Sequence, residues 1–164
     1  MEVKLFQKSE KEYGEYYKPH LLEQYRLYIQ SAEKISDRRQ NANNHFLAIN
    51  TVLVSFLALS FDIDLFKKMV IFRIILSIAG ILICMIFGLL LNSYKQLNSG
   101  KFKVIHEIEQ NIPLSLYSYE WEMLGKGKNK KLYYPFSHIE LLIPWVFGIV
   151  YVVLMFILFF YLCK

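Results

Sequence analysis

Apolar and polar positions are patterned along this chain on two scales. On the coarse scale, three nearly uninterrupted apolar runs occupy residues 46–61, 69–91 and 141–163. A helix rising about 1.5 Å per residue needs about 20 residues to cross a hydrocarbon core of about 30 Å. The second and third runs reach that length, and Asp62-Ile-Asp-Leu-Phe66 extends the first into the interface. Arg73 is the only formal charge in the three runs. On the fine scale, Leu21, Leu22, Tyr25, Tyr28, Ile29, Ala32 and Ile35 recur at helical spacing ahead of the first run, as do Phe102, Ile105 and Ile108 after the second. Pro19 suits the first turn of a helix, and residues 36–45 contain no Pro or Gly. The pattern predicts one long helix from about Pro19 into the first span. The second span is expected to continue through residues 92–97, bend at Gly100 and end at Asn111-Ile-Pro113. Ser118 is the expected cap of a short helix carrying Trp121 and Leu124. Residues 125–131 read as a flexible basic loop, and Ser137 with Glu140 as a capping box heading the third span. Residues 1–17 form a polar, aromatic arm with little expected structure.

The expected fold is therefore an all-α membrane protein with three transmembrane helices and a helical cytoplasmic domain. Its segments are an N-terminal arm and amphipathic helix (1–44), a first transmembrane helix (45–66), a second (67–92), a cytoplasmic helical segment with the basic loop (93–137) and a third transmembrane helix (138–164). Composition agrees, with 55% hydrophobic residues in 164. No short h-region with a small-residue cleavage site occurs, so the first span is expected to act as an uncleaved signal anchor.

The net charge of +5 matters through its placement. Eight Lys and Arg fall within 1–44 and seven within 93–138, against Lys67 and Lys68 between the first two spans. The positive-inside rule places the N-terminus and the 93–138 segment in the cytoplasm and the C-terminus outside.

Polar groups in hydrocarbon are costly, so their positions carry information. In the first span Asn50, Thr51, Ser55 and Ala58 fall near one arc of the helix, with Asn43 and Gln40 below and Asp62 above. One reading is a pore lining of Asn43, Asn50, Thr51, Ser55 and Asp62, with Asp62 and Asp64 forming an acidic outer ring that favours cations. The other is interhelical hydrogen bonding, with these side chains as packing contacts. A pore requires an oligomer, because three spans cannot enclose water. In the second span Gly80, Cys84 and Gly88 form a ladder of small residues for close helix approach. Arg73 is expected to snorkel or to pair with Asp62 or Asp64. The third span is apolar around its whole circumference, as a lipid-facing helix would be, with Trp145 and Tyr161 at its interfaces.

No catalytic set emerges, so an enzyme is not expected. His20, His45, His106 and His138 are scattered, and no phosphate-binding glycine loop occurs. Cys84 and Cys163 have no metal-ligand spacing, and neither a metal nor a cofactor is expected. His106, Glu107 and Glu109 read as solvated residues on an exposed helix. Lys126, Lys128, Lys130 and Lys131, followed by Tyr133 and Tyr134, have the chemistry to grip phosphates and stack bases, with Arg38 and Arg39 adding charge. The alternatives are membrane orientation and contact with anionic headgroups.

Several segments resemble a known family. Tyr17-Lys-Pro-His-Leu-Leu-Glu-Gln-Tyr25, Ser36-Asp-Arg-Arg-Gln-Asn-Ala-Asn43 and Phe46-Leu-Ala-Ile-Asn50 are similar to the RipA-family octameric membrane proteins of bacteria. So are Ser93-Tyr-Lys-Gln-Leu-Asn-Ser-Gly-Lys-Phe-Lys-Val-Ile-His106, Glu120-Trp121 and Ile139-Glu140. The resemblance implies a location in the bacterial inner (cytoplasmic) membrane and a ring-shaped homo-oligomer, an octamer; it does not imply an enzyme. Residues 38–50 also resemble, more loosely, SLATT-type effectors of nucleotide-signalled antiviral systems, from whose two-span pattern this chain departs. Together these readings give a homo-oligomeric membrane channel in bacterial defence, gated by a nucleotide or oligonucleotide. A nucleotidyltransferase is the expected partner. The alternative is a non-conducting scaffold or stress-adaptation protein.

Overall fold

The computed structural model describes residues 4–60 and 70–162, apart from the side chains of residues 137, 138, 161 and 162. Five α-helices follow one another, with no strand among the described residues: α1 (Glu10–Tyr13), α2 (Tyr17–Leu59), α3 (Val70–Glu109), α4 (Leu116–Met123) and α5 (Phe136–Leu162). A 3₁₀ turn at Gly125–Gly127 follows α4. Three of the helices (α2, α3 and α5) are long and apolar enough to cross a membrane.

The absence of any breaker between Pro19 and the first span has the predicted effect. α2 is a single helix of 43 residues, roughly 65 Å long, with Pro19 inside its first turn. α3 has 40 residues and passes through Gly100 without interruption. Each is about twice as long as a bilayer core is thick. Both therefore extend beyond it on the same side, where they pack as an antiparallel pair.

Two hydrophobic clusters hold the helices together. Within the spans, Phe46 stacks on Phe87 with ring centroids 3.9 Å apart, and Leu57, Cys84, Leu91 and Tyr151 complete the core. Beyond the spans, Tyr25 and Ala32 of α2 pack on Ile105 and Ile108 of α3, joined by Phe102 and Tyr117.

Several expectations are corrected. The N-terminal arm contains α1, because Ser9 donates its backbone N–H and its hydroxyl to Glu12 at 2.9 and 3.0 Å. The arm is tied to α2 by Lys18–Glu10 at 3.0 Å and by a Tyr13–His20 hydrogen bond of 3.0 Å. Ser115, rather than Ser118, occupies the N-cap of α4. α5 begins at Phe136, ahead of the expected Ser137 cap, whose side chain lies outside the described atoms. Arg73 is buried and donates to the Ser60 carbonyl, where a cation meets the negative end of α2. Asp62 and Asp64, with the connection that carries them, lie outside the described residues.

Candidate functional site

The first span divides the polar residues that the sequence groups together. At about 100° per residue, Asn43, Phe46, Asn50 and Leu57 share one face of α2, and all four are buried against α3 and α5. Asn50 has no exposed surface. Its Nδ2 donates to the Phe46 carbonyl at 2.9 Å, and its Oδ1 accepts from the Tyr151 hydroxyl at 2.9 Å and faces Cys84 Sγ at 3.8 Å. One amide thus links all three spans. Asn43 donates to Glu140 Oε1 at 2.7 Å, and Arg39 Nε lies 3.3 Å from the other oxygen of that carboxylate. Asn43 and Asn50 are therefore packing contacts of the protomer, and no free surface is left at Asn50 to line a water path.

Tyr151 reaches Asn50 because Gly80 has no side chain. A Cβ added at Gly80 would lie 2.7 Å or less from three atoms of the Tyr151 ring. The small-residue ladder is thus real at Gly80, which receives a ring, and open at Gly88, where an added Cβ would meet nothing within 4 Å. The third span is not uniformly lipid-facing, since Glu140, Tyr151 and Leu158 point inward.

Thr51 and Ser55 are placed differently. Together with Gln40, Asn44, Ala48 and Ala58 they form an exposed stripe on the face of α2 roughly opposite its packed face. The stripe is small, uncharged and continuous through the span. Asp62, the acidic residue expected above it, is not described.

Outside the spans, the basic loop is a tight left-handed turn, with Gly125, Lys126 and Gly127 at φ of 65°, 54° and 68°. Lys126 pairs with Glu122 at 2.7 Å, and the Lys130 ammonium lies 5.9 Å from the centre of the Tyr134 ring. Lys128 and Lys131 are exposed, and Tyr133 is half-buried. Arg38 is exposed on α2, whereas Arg39 is committed to Glu140.

Glu109 is a residue that sequence reasoning treats as solvated, yet it is only 1% exposed. Its carboxylate accepts from the amides of Tyr117 and Ser118 at 2.8 and 2.9 Å, from the Ser118 hydroxyl at 2.7 Å and from Tyr25 Oη at 3.1 Å. The last residue of α3 thereby caps the N-terminus of α4 and ties it to α2. Burial acts to raise this carboxyl's pKa, but the four hydrogen bonds outweigh it and hold the group below the ordinary glutamate value. Desolvation and the facing Glu109 charge push the Tyr25 phenol well up. Glu140 and Tyr151 were also legible only in part. A lone carboxylate and a lone phenol beside or inside an apolar run are the signal that each requires a partner.

The described residues contain no group of three His, Cys, Asp or Glu able to hold a metal ion. What the arrangement offers is a rigid three-span unit with one unused polar face and a basic, aromatic loop. No curated protein and no solved structure matches the chain. A family model described as the octameric membrane protein family matches residues 22–160, a stretch that includes all three spans, the Asn50–Tyr151 contact and the Glu109 cap. The chain belongs to the octameric membrane protein family and is a multi-pass, oligomeric membrane protein.

Proposed function

We propose that the protein is a ring-shaped homo-oligomeric channel of the bacterial inner membrane, with the stripe Asn44, Ala48, Thr51, Ser55 and Ala58 lining its path. The carrying observation is that this stripe is exposed on the side of α2 turned away from α3 and α5. Polar side chains facing lipid are unfavourable, and turning them toward a shared axis hydrates them. Membership of an octameric family supports the number of copies such an axis needs. Small side chains leave room for water and ions.

Planar-bilayer recording tests this reading. Ser55→Leu is expected to block conductance while leaving protomer stability unchanged, because Ser55 is exposed. Asn50→Leu is expected to destabilise the protomer instead. Purified protein that stays silent with and without nucleotides would overturn the channel reading.

Gating is assigned to an anionic nucleotide or oligonucleotide at Lys128, Lys130 and Lys131 with Tyr133 and Tyr134. Unchanged nucleotide binding after reversal of the loop lysines to Glu would remove that assignment. The defence role and a nucleotidyltransferase supplying the ligand rest on the looser SLATT-type resemblance. The cytoplasmic N-terminus and outer C-terminus rest on the charge asymmetry.

A second reading, a non-conducting membrane scaffold, is favoured by the consumption of Asn43 and Asn50 in packing. Ion flux separates the two.

A further inference from the structure

The α3–α5 pair carries a second feature, on the side turned away from α2. There the helices leave a groove of about 650 Å³. Met85, Leu89, Trp145 and Ile149 line its open side and are exposed. Phe87 and Tyr151, on other faces of the same helices, pack toward α2. The floor is made by small residues: Gly88, and Gly148 above Cys84.

Three observations define what fits. First, the groove is apolar along its length, and Asn92 is the one polar side chain that lines it. Second, it runs from Asn92 to Ile81 on α3 and from Leu141 to Val153 on α5, a depth of about 16–18 Å. That is roughly half of a 30 Å hydrocarbon core, the thickness of one leaflet. It begins at the boundary where the charged helical module starts and stops near the midplane. Third, its polar end lies on the basic side of the protein. Lys95 follows Asn92 by one turn of α3, and Lys128, Lys130 and Lys131 precede Phe136, the first residue of α5.

We propose that this groove seats one acyl chain of an anionic phospholipid from the leaflet beside the helical module. The glycerol region would meet Asn92, and the headgroup would meet Lys95, which follows it by one turn of α3. Gly88 is kept free of a side chain so that the chain can lie against the α3 backbone. The site is independent of whether the oligomer conducts.

Native mass spectrometry of the purified oligomer tests the proposal. Wild-type protein is expected to retain about one phosphatidylglycerol per protomer when exchanged into mixed phosphatidylglycerol and phosphatidylcholine. Gly88→Leu starts from a position where an added Cβ meets nothing within 4 Å and puts a side chain into the groove; it is expected to lower that retention by roughly tenfold, a change of about 1.4 kcal/mol, with the oligomer intact. Unchanged retention in Gly88→Leu would overturn the proposal. So would dissociation of the Gly88→Leu oligomer, which would make the groove a contact between copies. Equal retention of the two lipids by the wild type would also overturn it. A second measurement uses Trp121→Phe, which leaves Trp145 as the single tryptophan. Brominated phosphatidylglycerol at a minor fraction in nanodiscs is expected to quench it more strongly than brominated phosphatidylcholine at the same fraction. Equal quenching would count against the site.

Discussion

Replacing Gly80 with Ala tests the central joint of the three spans with a single methyl group. The added Cβ would lie 2.7 Å or less from three Tyr151 ring atoms, where carbon atoms prefer about 3.5–4.0 Å. Tyr151 has no exposed surface, so its ring has nowhere to swing. Either α3 and α5 separate by about an ångström, or the ring tilts and releases Asn50. Overpacking of this kind costs about 1–3 kcal/mol. Loss of an interhelical hydrogen bond inside a membrane adds about 0.6 kcal/mol, and at most about 1.7. Gly80→Ala is therefore expected to destabilise the protomer by about 2–4 kcal/mol. Tyr151→Phe keeps the ring and loses only the bond, so its cost should stay within the smaller figure. Reversible unfolding in mild detergent titrated with SDS would measure both. The decisive comparison is a double-mutant cycle. In a Tyr151→Leu background the clash is gone, and Gly80→Ala should cost about 1–3 kcal/mol less than it does alone. Wild-type stability for Gly80→Ala, or the same cost in both backgrounds, would refute the joint.

The remaining predictions concern the two buried carboxylates. Glu140→Ala leaves the half-buried Arg39 and the buried Asn43 without their acceptor, and is expected to cost about 1–3 kcal/mol in the same unfolding assay. Stability unchanged by this substitution would show that the three groups do not act together. Glu109→Ala removes the cap of α4, and hydrogen exchange across residues 115–124 should accelerate while the spans stay protected. A globally unchanged exchange map would rule the cap out. Because the folded pKa of Glu109 lies below that of an ordinary glutamate, about 4.3, the stabilisation from this carboxylate is fully present above that pH. It is lost as the pH falls through the lowered folded value. Acid-induced exchange of α4 in the wild type, absent from the already loosened Glu109→Ala protein, is the expected signature.

The sequence by itself determined the helical class, the three spans and the continuity of α2. Each of these depends on local quantities: the length of an apolar run, the 3.6-residue period and the absence of Pro and Gly between Pro19 and Leu59. It also marked Asn43, Asn50, Thr51 and Ser55 as unusual, because polar groups in an apolar run are costly wherever they point. Their division into two faces was decided only by the tertiary structure. Asn50 is set apart from Thr51 by a rotation of about 100° on the same helix. That rotation becomes meaningful only once Tyr151, about a hundred residues away in the chain, claims the amide. The same holds for Glu109, whose burial depends on where Tyr25 and the start of α4 come to lie. Glu140 follows this rule through Arg39 and Asn43. Hydrophobic burial is encoded residue by residue and can be read along a line. A hydrogen bond between distant residues is a property of two positions at once, and only the packed helices bring them within reach of each other.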